Sequence, residues 1–360
     1  MSDLRLTIHS ITARAVNPPL ARNLRTAVTT IPSAPLVLID LLTHEGVTGR
    51  VYIFAYHSAA LAPLTQLVQT IGDDLKGKAV VPAERMRELD LRFRLLGWHG
   101  LVGMAIAGLD MVFWDALARA ADVPLVRLLG GEPRPLTAYD SYGVVDRPAD
   151  EKALEQSLAS GFSAIKIRLG YGDLAEDITE VKWVREIIGP SVKLMVDYNQ
   201  SLDPVEARHR IAAIAKYDIA WVEEPLHAKD LAGNAQVRAT SPVPIQLGEN
   251  WWFPRDMASA IAAGACDFAM PDVGKVGGVS GWLQAAALAE AASLPMSSHL
   301  FNEINAHLLP ITPTAHYLEY LDTAGAVLKE KLRVVNGKVT AFGPGFGLEW
   351  DEAAVAKYKC

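Results

Sequence analysis

Three carboxylates recur along the chain at one interval. Asp197, Glu223 and Glu249 each follow a short apolar run, and each lies 26 residues after the one before. The runs are 192–196, 219–222 and 243–247. Equal spacing puts each acid at the same point of a successive strand–helix unit. Further apolar runs at 137–142, 164–168, 267–270, 294–298 and, more weakly, 315–319 extend the series to eight. Longer helical patterns lie between them. One opens at Asp203-Pro204, a helix cap followed by proline at the first helical position. Another runs over 279–292. Eight such units across 133–325 predict an α/β fold, a modified (β/α)8 TIM barrel, in which strand ends converge on one face and the three acids meet.

The first part, 1–132, has a different grammar. Strand signals at 4–16 and 34–41 precede a turn at 43–46 and a further strand at 47–52. Met104, Ala107, Met111, Trp114 and Ala118 then fall at helical spacing, and that helix should end near Ala121. Strands followed by helices predict a separate α+β domain. The tail, 326–360, is rich in glycine and charge and reads as strands and turns that pack back on this domain.

Three acids crowded at a barrel mouth repel one another, and burying them unpaired is costly. A hard divalent cation resolves this. A set of oxygen ligands, without thiolates or paired histidines, points to Mg2+. Separate helix caps would explain any one acid but not three at matched positions. Lys166 and Arg168 are two apart in run 164–168, so both face the same region; balancing the acids is their structural alternative. His299 closes run 294–298 and Asp272 closes the unit before it, which brings the pair within hydrogen-bond reach. A carboxylate partner orients an imidazole and raises its basicity, as a general base near neutral pH requires. Glu319 supplies one more acid, a hydrogen-bond donor if its surroundings keep it protonated. Together these groups suit removal of a proton α to a carboxylate, with the resulting enediolate stabilised by Mg2+, Lys166 and Glu319.

These residues resemble the mandelate racemase branch of the enolase superfamily. The likeness is carried by segments 34–41, 107–117, 138–141, 196–202, 221–225, 248–251, 270–278 with Trp282, 295–300, 313–316 and Leu318-Glu319. The resemblance implies an N-terminal capping domain over the barrel, completed by the tail. It implies Asp197, Glu223 and Glu249 as Mg2+ ligands, His299 as a base partnered by Asp272, and Glu319 as the acid facing the substrate carboxylate. Lys166 matches the first lysine of the family's Lys-x-Lys motif, and Ser141 and Asn199 match positions near the substrate oxygens. A homo-oligomer, octamer or dimer, is implied as well. One departure stands out. The second lysine of the motif is Arg168 here, and a guanidinium is effectively always protonated.

Segment 24–31 aligns with the family's specificity loop. Leu24, Val28 and Ile31 would form an apolar wall with Tyr56, Leu300 and Leu321, unless they pack the domain interface instead. Arg25 in that loop is expected to receive a second anionic or polar group. The reading is therefore a racemase or epimerase of a mandelate-like 2-hydroxycarboxylate. An acid-sugar dehydratase using the His299–Asp272 pair is the alternative. A catalytically degenerate binding or assembly protein is a third, opposed by the intact acid triad.

Composition narrows the setting. A formal net charge of −7 and a pI near 5.7 give no footprint for nucleic acid. Cys266 lies in an apolar run and reads as buried filler, and no zinc spacing exists. No stretch reaches the ~18 consecutive apolar residues of a membrane span, and 1–5 lacks a signal-peptide layout. The expectation is a reduced, cytoplasmic enzyme whose partner is a small carboxylate, with neither nucleic acid nor membrane.

Overall fold

A computed structural model describes residues 5–25 and 30–360. The N-terminal part is a three-stranded antiparallel sheet, ordered β1 (Ile8–Val16), β4 (Leu36–Thr43), β5 (Thr48–Phe54), with a separate hairpin of β2 (Pro19–Arg25) and β3 (Thr30–Ser33). Helices α1 (Leu61–Asp74), α2 (Pro82–Phe93) and α3 (Leu101–Ala120) follow. Helix α3 is apolar on nearly every side because it is the core of this domain. By length and composition it is the one helix among the described residues that would suffice to cross a membrane, but 83% of its most apolar window is buried in the protein.

After α4 (Leu125–Leu128), the barrel strands are β6 (Leu136–Ser141), β7 (Ala164–Arg168), β8 (Lys193–Asp197), β9 (Ile219–Glu223), β10 (Ile245–Leu247), β11 (Phe268–Ala269) and β12 (Leu318–Tyr320). They form a parallel path β11-β10-β9-β8-β7-β6-β12. Helices α5 (Glu151–Ala159), α6 (Leu174–Ile188), α7 (Pro204–Ile214), α8 (Leu231–Thr240), α9 (Phe253–Ala263), α10 (Gly278–Ala291) and α11 (Asn302–Leu308) fall between them. Asp203 caps α7 by accepting from the Val205 and Glu206 amides, as its sequence signature predicts.

Run 294–298 differs from expectation. It is not a full strand; Met296 makes single parallel bridges to Ala269 and Ala315, and these close the barrel. Pro295 has no amide hydrogen to give to a ladder. The tail holds β13 (Lys338–Val339), paired antiparallel to β6, and a helix, α12 (Glu352–Lys357), where only strands and turns were expected. The tail also reaches the N-terminal domain: Trp350 Nε1 donates to Asp40 at 2.7 Å and Arg119 pairs with Glu349 at 2.8 Å.

Strand periodicity sorts the barrel interior into layers. Tyr139, Ala164, Met195 and Trp221 form a small apolar cluster, packed against Phe268 and Tyr317. Two residues further along β7, β8 and β9, the same faces carry Lys166, Asp197 and Glu223. Strand register then sets Arg168, Asp197 and Glu223 side by side. One pitch of the pleat thus separates an apolar layer from a charged one.

Candidate active site

The charged layer opens into a cavity of about 260 Å³. Ligand oxygens of Asp197, Glu223 and Glu249 lie within 4.8 Å of one another, and all three residues are buried. Around them, Lys166 Nζ sits 2.5 Å from Glu223, 2.9 Å from Glu319 and 3.9 Å from Asp197. Arg168 Nε is 3.3 Å from Asp197 Oδ2. Gln246 donates to Glu223 Oε2 at 3.0 Å, and the Asn199 amide donates to Asp197 Oδ1 at 2.7 Å. Glu249 Oε2 is buried with no hydrogen bond, its closest cationic neighbour being His299 Nε2 at 3.3 Å. Burial pushes the carboxyls of Asp197 and Glu223 upward against the pull of Lys166. Three clustered carboxylates with an oxygen left unpaired suit a hard divalent ion, since Mg2+ takes oxygen ligands at ~2.1 Å.

The expected base pair is formed. His299 Nδ1 and Asp272 Oδ2 are 2.7 Å apart, joined by a parallel bridge between their strand ends. Asp272 Oδ1 accepts from the Gly274 amide at 2.7 Å. Burial lowers the His299 pKa, but Glu249, Glu319 and Asp272 outweigh it and raise it above the ordinary value. The ring is therefore in the Nδ1–H tautomer when neutral, with Nε2 facing the carboxylates.

The cations behave as fixed charges. Burial opposes the ammonium of Lys166, but Glu223 and Glu319 overcome it and hold its pKa well above 10.5. Arg168 is likewise raised, mainly by Asp197 and Glu249 against burial. Glu319 corrects an expectation. It is ionised rather than protonated: burial pushes it up, yet Lys166 and His299 bring it to about 2. Its Oε2 accepts from the Leu300 amide at 2.9 Å. Sequence cannot supply the Lys166–Glu319 distance that decides this.

Leu24, Ile31, Tyr56, Leu300 and Leu321 line the cavity together with Asn199, Arg168, Glu249, His299 and Glu319. Leu24 and Ile31 are cross-strand partners in the β2–β3 hairpin, so their side chains share a face. Val28 lies outside the described residues. Ser141 is not in the lining; it is buried, and its carbonyl accepts from Arg22 at 2.7 Å. Arg25 does not face a ligand. Its guanidinium is taken by Asp146 at 2.6 Å and Asp150 at 3.0 Å, which fastens the hairpin to the loop after β6. Tyr56 is in the wall, but its hydroxyl donates to Asp272 Oδ2.

Four lining residues escaped the sequence reading: Phe54, Gln200, Asn250 and Lys275. Lys275 Nζ donates to Asn250 Oδ1 at 2.9 Å, and Asn250 Nδ2 donates to Glu224 Oε2 at 2.9 Å. The position of Lys275, three residues beyond Asp272 at the same strand end, was the available signal.

Comparison with known proteins gives consistent matches. The family described as Enolase C-terminal domain-like matches residues 149–354, and the Mandelate racemase / muconate lactonizing enzyme N-terminal domain matches 8–130. An enolase from Bradyrhizobium, crystallised with magnesium and mandelic acid, is 57% identical with a TM-score of 0.97, each chain covering 100% of the other. The 3,6-anhydro-alpha-L-galactonate cycloisomerase of Streptomyces coelicolor is 32% identical over 88% of this chain and 89% of its own. The L-talarate/galactarate dehydratase of Salmonella typhimurium is 32% identical over 84% and 77%.

Proposed function

Because the chain belongs to the mandelate racemase/muconate lactonizing family of the enolase superfamily, whose chemistry is Mg2+-dependent proton abstraction, we propose that it racemises or epimerises a 2-hydroxycarboxylate bearing a hydrophobic substituent. The observation that carries this reading is the pairing of two features in one cavity. His299 and Glu249 bring the dyad and the acid triad to its lining, and Leu24, Ile31, Phe54, Leu300 and Leu321 form its wall.

Asp197, Glu223 and Glu249 would hold Mg2+, which when bound supplies Lewis-acid charge for a substrate carboxylate gaining negative charge. His299 Nε2 takes the α-proton, while Asp272 holds Nδ1 and stabilises the imidazolium that forms. Lys166 stands as a preorganised cation beside the developing charge, and burial strengthens its effect. An aryl or branched alkyl group buries against the leucine and isoleucine wall. Each sugar hydroxyl left unpaired there costs about 1–3 kcal/mol.

A second reading is favoured by Arg168. Dehydration of a sugar acid needs one base and one acid rather than a base on each face. The 32% identical L-talarate/galactarate dehydratase supports that option. One screen separates the two. Mg2+-loaded protein is incubated with both enantiomers of mandelate, with aliphatic 2-hydroxy acids and with a sugar-acid library, and products are followed by NMR and polarimetry. Turnover of aryl or alkyl acids without keto-acid product is expected. Sugar-acid dehydration at ordinary enzymatic rates with no aryl turnover would overturn the preferred reading.

A further inference from the structure

Asp272 has a second partner besides His299, and it comes from the other domain. Tyr56 follows β5, and its hydroxyl donates to the same oxygen, Oδ2, that His299 Nδ1 uses. Its ring lies parallel to the imidazole, 3° between planes and 6.5 Å between centroids. Lys275 Nζ rests 4.2 Å from the Tyr56 ring centroid. The backbone is bent to achieve this. Tyr56 has φ +60°, a left-handed conformation that a bulky side chain adopts only where its surroundings impose it. A merely apolar wall residue would not need the hydroxyl.

We propose that Tyr56 is a positioning residue for the base: through Asp272 it sets the orientation of His299, so that docking of the N-terminal domain completes the dyad. The proposal rests on the reading of His299 as the base. With Gly274 on Oδ1 and both Tyr56 and His299 on Oδ2, the Asp272 carboxylate is held at both oxygens. Removing the Tyr56 hydroxyl leaves it one fewer constraint while the ring still fills the wall. Burial and the adjacent Asp272 keep the phenol protonated, so it remains a donor.

The test compares Y56F and Y56L with the parent, all as Mg2+-loaded full-length protein. Two measurements are made. The first is the low-field proton resonance of the His299 Nδ1–H, assigned by its loss in H299N; it needs no substrate. The second is kcat and KM for α-deuterium exchange on mandelate. Expected in Y56F is a shifted or broadened resonance, with kcat lower by about 10- to 100-fold, the usual cost of losing an outer-shell partner, and KM nearly unchanged. Adding D272N to Y56F should cost nothing beyond D272N alone, because both act on one interaction. An unmoved resonance with unchanged kcat in Y56F, or fully additive losses in the double variant, would overturn the proposal. So would an effect of Y56F confined to KM, which marks wall packing alone. Failure of the base assignment is seen separately, as exchange of the faster enantiomer that survives undiminished in H299N.

Discussion

Arg168 makes the two faces of the substrate unequal, and the inequality can be calculated. A base must be unprotonated to act. Burial lowers the pKa of the Arg168 guanidinium, but Asp197 and Glu249 outweigh it and raise it above its ordinary value. At pH 7.5 its neutral fraction is therefore below about 10⁻⁵, a handicap of about 7 kcal/mol at 1.36 kcal/mol per pKa unit. Lys166 is the other basic group on that side, held above 10.5 by Glu223 and Glu319 against burial. Its handicap is at least about 4 kcal/mol, or about 10³-fold. His299 is raised too, since Glu249, Glu319 and Asp272 outweigh its burial, but an imidazole starts about 4 units below an amine and so carries the smaller handicap. Each mandelate enantiomer should be incubated separately in D2O with Mg2+-loaded protein and the α-proton followed by NMR. One enantiomer is expected to exchange at least about 10³-fold faster than the other. Net inversion is then slower than exchange, because the Arg168 face limits it. Arg168→Lys restores a titratable amine and should speed the slow face by about 10-fold or more. Exchange of the two enantiomers within tenfold of each other, with no gain in R168K, would refute the reasoning.

Three further outcomes follow from other parts of the structure. Chelation should abolish exchange and lower the melting temperature, since Mg2+ at ~100 times its Kd adds ~2.7 kcal/mol; full activity in metal-free protein would remove the metal assignment. Gly143→Ala should raise KM for aryl acids, because a Cβ there would lie 2.4 Å from the Arg25 carbonyl oxygen and push the hairpin off the barrel; overpacking of this kind costs about 1–3 kcal/mol, and an unchanged KM counts against the hairpin as the pocket wall. Glu303, buried and accepting from Tyr52 at 2.7 Å, is pushed by burial from 4.5 to about 7. As pH rises above 4.5 the unfolded chain ionises first, so stability falls until about pH 7 and about 3 kcal/mol is lost. Urea unfolding should show Glu303→Gln gaining on the parent by about that amount between pH 4 and 8; a constant difference would exclude the effect.

What the sequence displays well is whatever rests on local pattern. Strand alternation put Lys166 and Arg168 on one face, and the 26-residue interval put Asp197, Glu223 and Glu249 at equivalent strand ends; both follow from backbone geometry. The Asp272–His299 contact follows from adjacency of successive strand ends. Legibility fails where a side chain has several claimants. Arg25 looked free because Asp146 and Asp150 are more than 120 residues away in the chain. Tyr56 looked apolar because its neighbours in the wall are, whereas its hydroxyl has a partner on another domain. The β2–β3 hairpin reads as a loop in sequence because its first strand, PLARNLR, carries little apolar alternation. Tertiary ion pairs at Asp140, Asp146 and Asp150 supply what propensity does not.

The charge inventory of the site explains why so many acids are tolerated there. Burial, Glu249 and Asp197 drive the Glu224 carboxyl well above 4.5, which favours its neutral form. Counting the three metal ligands as ionised and His299 as the neutral base it must be to act, the remaining buried carboxylates are Asp197, Glu223, Glu249, Asp272 and Glu319, and the buried cations are Lys166, Arg168 and Lys275. Five negative groups against three positive ones leave two negative charges, which is the charge of one divalent ion. A monocarboxylate then meets a site of balanced charge, and Leu24, Ile31, Phe54, Leu300 and Leu321 offer no counter-charge for a second carboxylate on their side of the cavity. The proposed proton transfer from the α-carbon to His299 would move charge within the site without changing its total, so no ion would have to enter or leave during the step. That balance needs Arg168 to stay charged. Its loss of a base's role and its contribution to neutrality are thus the same property, and a neutral residue at 168 should weaken carboxylate binding even where it leaves His299 untouched.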